Sequence, residues 1–479
     1  MAGRFLGLFR PVARVIPEIK TPERRVGFNE KLFWTAVALI IYLVMSEVPL
    51  YGIEKTALGE LAALRIIFAS SRGSLMELGI GPIVTAGLIL QLLVGSQMIQ
   101  CDMSRPEDRS LFTTASKVFS IVLTGVQASA YIISGMYGSL QGTLIIIVFL
   151  QLIGAGVIVM LLDELIQKGW GFGSGISLFI MAGVAQHIFL QCFFVTPPVD
   201  DFGSSGIFAA LIQTLMSGKS VTGLLLRGQY PSIIGFIATI GAFLIIIYTE
   251  GVRVELPLSF AGYKGYRSRY PIKLLYVSNL PVIFASALFA DVYLFSQIIW
   301  SMNGKPDPGT NFWLDLLAQF SPVKNQQGEI TGYEPSNGLV YYVTSPRNLQ
   351  NVMDNPLRAA GYLGILIGFC IVFSLTWLEV GGLGPSTVAK QLVDAGMEIP
   401  GYRRSGKAVE LILKRYIPTV TVLGGIVVAL IAGVSDFFGV FGSGMGILLS
   451  VGIVYQYYEI LMRERVAEMY PAFRRVFGR

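Results

Sequence analysis

The sequence predicts an all-α polytopic membrane protein with ten transmembrane helices. Hydrophobic residues make up 53% of the chain and charged residues 14%, with a mean hydropathy of +0.64, far from the composition of an ordinary soluble domain. Between Leu32 and Leu461 ten apolar runs recur, each near the roughly 20 residues that a hydrocarbon core of about 30 Å demands of a helix. The polar segments between them are too short for an independent domain, so the 479 residues read as one membrane domain.

Residues 1–31 form a basic arm. Its stretch RFLGLFRPVARVIPEI interleaves Arg with Phe, Leu, Val and Ile, as an amphipathic segment on an anionic membrane surface does. Pro11 and Pro17 limit any helix there, and a plain flexible leader is the alternative reading. No uninterrupted apolar run follows the basic start, so no cleavable signal is expected and the first span is retained. Spans are expected at Leu32–Leu50, Leu75–Met98, Thr113–Met136, Thr143–Leu162, Gly175–Val195, Ile233–Tyr248, Leu274–Trp300, Leu357–Leu378, Ile417–Val434 and Val440–Leu461.

Two segments depart from this routine. After the first span, GIEKTALGELAALRIIFASSRG keeps Leu58, Leu61, Leu64 and Phe68 near one helical face, while Glu54, Lys55, Glu60 and Arg65 prevent a crossing. It must begin and end on the outer side, as a short helix that either dips back into the protein or lies on the membrane. The second span, GSLMELGIGPIVTAGLILQLLVGS, carries a Gly-Ile-Gly-Pro break. In lipid, freed backbone groups are tolerated only against protein or a water-filled cavity, so this break points to a pathway through the membrane.

Charge sets the orientation. Of the 36 Lys and Arg residues, 27 fall on the side of the two termini and 9 on the other, which makes both termini cytoplasmic by the positive-inside rule. Two loops on the basic side, Gly251 to Lys273 and Leu383 to Pro418, are long as well as basic. Such loops suit RNA or acidic protein surfaces; positive-inside bias alone explains their charge but not their length.

Enzyme chemistry finds little support. His187 is the sole histidine, so a two-histidine zinc helix is impossible. The glycine clusters GWGFGSG (Gly169 to Gly175) and GVFGSGMG (Gly439 to Gly446) follow no strand and lack the Lys-Ser/Thr pair of a phosphate loop. At the start of a span they serve close helix approach. Cys101, Cys192 and Cys370 are scattered and imply no disulfide framework. No cofactor or metal is expected.

Several stretches together carry a family resemblance: ELGIGPIVTAGLILQLLVGS, SRPEDRSLF, LDELIQKGWGFGSGISLFI, RVELPL, RYPIKLLYVSNLPVIFASALFA, GYRRSGKAVELILKRYIP and SDFFGVFGSGMGILLSVGIVYQYYE. Over nearly its whole length the chain resembles the channel subunit of the Sec protein translocon, SecY in archaea and bacteria and the alpha subunit in eukaryotes. SRPEDRSLF and the Arg-rich tail are archaeal in character, whereas LDELIQKG is closer to eukaryotic relatives. The resemblance implies two five-span halves, 32–195 and 233–461, related by inverted pseudosymmetry and joined by an outer hinge loop, 196–232. Cytoplasmic loops 251–273 and 383–416 and a basic tail, 462–479, complete the organisation.

By the same resemblance, a pore between the halves is constricted by a ring of Ile80, Val84, Ile176, Ile180, Ile283 and Leu449. Ile80/Val84 and Ile176/Ile180 are i, i+4 pairs, so each presents two stacked side chains on one helical face. An apolar ring disfavours hydrated ions by dewetting. Residues 54–72, with Leu58, Leu61, Leu64 and Phe68, match the plug. Thr85 and Gln127 match polar positions of a lateral gate between spans two and three and spans seven and eight. Asp291 stands where relatives commonly have Asn, and is expected to hydrogen-bond Gln127 or Thr85 across the closed gate, or else to face pore water. Lys264, Arg267, Arg269, Arg403 and Arg404 match or flank the ribosome-facing positions. Implied partners are small SecE/gamma-type and Sec-beta-type subunits, the ribosome, signal sequences, nascent polypeptides and lipid. The implied location is an archaeal plasma membrane, with the endoplasmic reticulum as alternative. The competing class is a secondary transporter using Asp291 as an ion or proton site. Such a site should gather several polar groups at the midplane, where this chain offers Ile, Val and Leu.

Overall fold

The computed structural model describes residues 9, 11, 17–24, 26–53, 73–95, 98–99, 101, 106–133, 137, 142–195, 203–227, 230–260, 267–275, 280–303, 311–324, 330–394, 397–398 and 406–469. The first half holds α1 (Phe28–Glu47), α2 (Gly81–Gly95), α3 (Pro106–Ile133), α4 (Thr143–Leu165) and α5 (Gly175–Phe193). After a connecting segment with the short α6 (Ile207–Met216) come α7 (Ile233–Gly251) and α8 (Leu280–Met302). Three short helices, α9 (Phe312–Leu317), α10 (Leu339–Val343) and α11 (Leu349–Asp354), precede α12 (Pro356–Val380). The chain then forms α13 (Pro385–Asp394), α14 (Gly406–Phe437) and α15 (Gly444–Met469).

Among the described residues, nine helices are long and apolar enough to cross a membrane: α1, α3, α4, α5, α7, α8, α12, α14 and α15. The second expected span starts later than Leu75. Residues 75–80 form turns, and α2 begins at Gly81. At about 1.5 Å per residue, its 15 described residues cover roughly three quarters of a hydrocarbon core. The Gly-Ile-Gly-Pro break is therefore the start of a helix rather than an interruption within one. Proline explains the position: Pro82 has no N–H to offer, and only in the first turn does the helix ask for none. The turns ahead of it are tied to the end of α1, where Leu50 N–H donates to Gly73 O (2.8 Å) and Leu75 N–H to Val48 O (3.0 Å).

Three other helices outrun their apolar stretches. α3 starts at Pro106 rather than Thr113, α14 at Gly406 rather than Ile417, and α15 continues to Met469 rather than Leu461. Hydropathy marks only the part in lipid, whereas the backbone hydrogen bonding of a helix continues into water.

Among the described residues, strands appear only in the connections, where the all-α expectation did not foresee them. β1 (Arg253–Phe260) and β2 (Arg267–Lys273) form an antiparallel hairpin, with Arg253 opposite Lys273. β3 (Gln319–Lys324) and β4 (Ile330–Asn337) form a second hairpin, after α9. β5 (Met397–Glu398) pairs with the other edge of β1, Ser259 opposite Glu398. Beneath this sheet Ile272, Val388, Leu392, Leu413 and Ile417 share an apolar cluster. The two basic loops and the base of α14 are thus one packed body.

The last helix of each half begins with the same four residues, Phe172-Gly173-Ser174-Gly175 before α5 and Phe441-Gly442-Ser443-Gly444 before α15. A buried aspartate from the preceding helix caps each start. Asp163 Oδ1 accepts from Ile176 N–H (2.9 Å) and Asp436 Oδ1 from Gly444 N–H (2.6 Å), satisfying donors that a helix start leaves open. Gly173 and Gly442 both lie in the left-handed region, at φ 68° and 78°. The turns part at the serine, extended at Ser174 and left-handed at Ser443 (φ 67°), and both helices then start at the following glycine.

Each turn is held by the other half. The Tyr457 hydroxyl on α15 lies 3.0 Å from Phe172 O and 2.8 Å from Ser174 O, its one proton serving either. Reciprocally, Gly442 N–H donates to Gln191 Oε1 on α5 (3.2 Å). A side chain at either glycine would press on its partner: a Cβ at Gly173 falls 3.2 Å from the Tyr457 ring, and one at Gly442 falls 3.1 Å from Ile188. An ion pair between Lys31 on α1 and Glu464 on α15 (2.6 Å) lies on the same seam.

The described part of the N-terminal arm docks onto protein. Phe9 is buried with Leu90, Ile99, Leu111 and Ala115. Glu18 pairs with Lys168 (2.5 Å), and the Trp170 indole donates to Lys20 O (2.9 Å). The Lys168 ammonium bonded to Glu18 holds its carboxyl below the usual value.

Gly442→Ala should destabilise by about 1–2 kcal/mol, from left-handed strain and contact with Ile188. Gly364→Ala, in open space on α12, should not. The thermal midpoint of the purified protein reads both. Because the Glu18 carboxyl is depressed, its contribution is complete above the usual glutamate value of about 4.3 and fades as the pH falls through the lowered one. Trp170 emission, taken as the difference from W170F, should shift red on acidification and already be shifted at neutral pH in Lys168→Gln. Since Glu18 is well exposed, the effect is small.

Candidate functional site

All six expected ring positions belong to the main apolar core or pack against it. Ile80, Ile180 and Leu449 are buried members of one apolar cluster, and Val84, Ile176 and Ile283 pack against it. They come from the entry to α2, the first turns of α5, the first turn of α8 and the second turn of α15, so both halves contribute. Ile80 precedes its helix, yet its carbonyl accepts from both Ile83 N–H and Val84 N–H at 3.1 Å. That bond keeps Ile80 and Val84 one turn apart and stacked as the spacing predicted.

The halves meet along two seams of different character. One is the hydrogen-bonded seam of α5 and α15 with its reciprocal turns. On the other, α8 touches α2 and α3, and α12 touches α2. Here a cleft is lined by Val126, Gln127, Tyr131, Asp291, Leu294 and Phe295, among others. Gln127 and Asp291 are therefore brought together, whereas half-buried Thr85 on α2 is not in the lining. The hydrogen bond expected from Asp291 to Gln127 or Thr85 is not formed in this conformation. Both groups line the same cleft, and its walls are mainly apolar.

Sequence reasoning missed Gln297, which lines the same cleft and whose Oε1 is buried without a hydrogen-bond partner among the described residues. A signal for this surface was present: Asp291, Leu294, Phe295 and Ile298 follow the i, i+3, i+4, i+7 spacing of one helical face.

The basic positions are only partly visible. Arg269 on β2 is exposed and pairs with Glu255 at 2.5 Å, and Arg267 lies opposite Ser259 in the hairpin. Lys264, Arg403 and Arg404 lie outside the described residues, as do the plug positions Leu58, Leu61, Leu64 and Phe68. The packed body adds three exposed cations not singled out beforehand, Lys390, Lys414 and Arg415.

The chain is similar to known proteins along nearly its whole length. The sequence profile described as SecY matches residues 74–458, and that described as the plug domain of Sec61p matches residues 40–73. The chain is 42% identical over 474 residues to protein translocase subunit SecY of Pyrococcus horikoshii, covering 96% of this chain and 97% of the relative. A solved structure of a protein-conducting channel aligns with a TM-score of 0.79 at 37% identity, over 96% of this chain and 98% of the other. Sec61 in the canine ribosome-channel complex from the endoplasmic reticulum aligns with a TM-score of 0.76, also at 37% identity and over 96% and 98% of the two chains.

A carboxylate in an apolar cleft without a hydrogen bond to Gln127 or Thr85 should cost stability. Asp291→Leu is expected to stabilise the protein by about 1–3 kcal/mol, read as a higher thermal midpoint with its small subunits bound. A lower midpoint would show that the carboxylate has a stabilising partner in the assembled complex.

Proposed function

The chain belongs to the SecY family, and from that premise we propose that it is the pore-forming subunit of a protein-conducting channel. Secretory polypeptides cross the membrane through the ring of Ile80, Val84, Ile176, Ile180, Ile283 and Leu449, and transmembrane segments leave sideways into lipid. The observation that carries this reading is the convergence of those six side chains, from four helices in both halves, on one apolar cluster. Such a ring excludes hydrated ions by dewetting. It also offers a passing chain no polar group to bind, so the chain is not held.

The unequal seams give the gate its direction. Rotation about the hydrogen-bonded seam of α5 and α15 opens the opposite one, where α2 and α3 meet α8 and α12. A signal sequence, itself an apolar helix, enters the cleft beside Gln127 and Asp291 and wedges it. The segment 54–72 acts as the plug and moves aside as the halves separate. The channel is passive: the sequence holds no nucleotide-binding loop, so the driving force comes from the ribosome or another partner.

The body formed by both basic loops is the docking surface, with Lys264, Arg267, Arg269, Arg403 and Arg404 facing ribosomal RNA or acidic protein. The charge bias puts this body and both termini in the cytoplasm, in an archaeal plasma membrane or, alternatively, the endoplasmic reticulum. SecE/gamma-type and Sec-beta-type subunits complete the complex.

A photo-crosslinking residue at Ile283, in protein reconstituted with the small subunits, should attach to a ribosome-stalled secretory chain only when its signal sequence is intact. Absence of that crosslink while position 403 still captures the chain would leave docking in place and overturn the pore assignment. Replacing Arg403 and Arg404 together by Glu should lower ribosome co-sedimentation, most visibly at low salt; equal binding there would remove the loop tip from the docking surface.

A further inference from the structure

The repeated turns bring the two halves into residue-by-residue register. Setting Phe172-Gly173-Ser174-Gly175 against Phe441-Gly442-Ser443-Gly444 places Ile180 opposite Leu449. Those are ring positions of α5 and α15, so the alignment recovers a correspondence that was not used to make it. The same alignment places Ile176, the other ring position of α5, opposite Met445. On α5 the ring takes two residues one turn apart, while on α15 it takes only Leu449.

The anchoring of both helices makes this correspondence physical. Asp163 takes hydrogen bonds from the N–H groups of Gly175 and Ile176, and Asp436 takes one from Gly444, the counterpart of Gly175. A carboxylate on the helix start fixes the rotational phase of the first turn. Side chains one and five residues beyond the glycine then leave the two helices at matching angles. Met445 is itself buried, 4% exposed, in the cluster that holds Ile80, Ile180 and Leu449, and it stacks one turn before Leu449.

We propose that Met445 is a seventh side chain of the constriction and touches the polypeptide in transit, an inference that rests on the pore reading above. The residue type suits the place. Methionine is unbranched with three rotatable bonds and a polarisable thioether, and fills irregular gaps more readily than branched residues do. Among Ile, Val and Leu it gives the ring one compliant member, able to follow side chains of different width while water stays excluded.

The test compares three positions in the full chain reconstituted with its small subunits: Met445, the ring residue Ile283, and Ile447. Ile447 is equally buried but lies two residues from both Met445 and Leu449, on the far face of the helix. Each receives a photo-crosslinking residue in turn, against a ribosome-stalled secretory chain with an intact signal. Capture at 445 should be comparable to that at 283 and several-fold above that at 447. Capture at 283 with 445 no better than 447 would overturn the role of Met445 and leave the pore reading standing. No capture at 283 or 445 would overturn the pore reading and this inference with it. Should the bulky residue at 445 prevent assembly, Met445→Cys decides instead. In a background without the native cysteines, it should form a disulfide with a single cysteine in the stalled chain, and Ile447→Cys should not; equal yields from the two would refute the proposal.

Discussion

In a bilayer no backbone N–H or C=O can turn to water, and the corners where this chain re-enters the membrane are built around that demand. Asp163 and Asp436 meet it at α5 and α15, each placing a carboxylate oxygen on the N–H groups of the next helix. The carboxylates are deeply placed, yet they exchange solvent for several fixed donors: Asp163 also takes the Gln167 amide at 2.7 Å, and Asp436 the Tyr362 hydroxyl at 3.4 Å. Burial of these polar groups is tolerable because their hydrogen bonds are made. Once the two starts are fixed, the phase of α5 and α15 follows, and with it the facing of Ile176, Ile180, Met445 and Leu449.

The same corners join the halves. Tyr457 reaches from α15 to the turn before α5, and Gln191 reaches from α5 to the turn before α15. Each half is held at its own corner by the other, so the contact is duplicated at two depths. A seam pinned at two points can act as an axis. The seam between α2, α3, α8 and α12 is of a different kind, with a cleft walled largely by apolar side chains. Apolar packing has no required geometry and can be replaced by another apolar helix at little cost, which is what lateral entry of a signal sequence requires.

Outside the bilayer different rules hold, and strands become possible. Hairpin β1–β2 and the short β5 tie two loops distant in sequence into a single surface, over a core of Ile272, Val388, Leu392, Leu413 and Ile417. Charges spread over two flexible loops would have to be ordered on binding, at a cost in conformational entropy. Mounted on one body, they meet a partner already arranged. A partner docked on this body would be coupled directly to the membrane part, since α14 runs from one into the other.

The sequence alone determined that the chain lies in a membrane, where most spans fall and which loops are basic, because these depend on composition and hydropathy, which act locally. It also marked the Gly-Ile-Gly-Pro break and both glycine-rich corners. It could not say that the break is a helix start, since Pro82 is as disruptive inside a helix as it is welcome in the first turn, and only the hydrogen bonds of residues 73–80 decide between them. From spacing alone, Ile80, Val84, Ile176, Ile180, Ile283 and Leu449 were indistinguishable from packing residues, and it took the family resemblance to mark them. The tertiary structure placed them all in or against one apolar core, with the start of α5 and of α15 fixed by Asp163 and Asp436. It likewise set Asp291 and Gln127 in one cleft without a hydrogen bond between them, seated Phe9 between helices and gave the two seams their unequal bonding. Each of these depends on which atoms from distant parts of the chain come within about 3 Å of one another, and no local pattern encodes that distance.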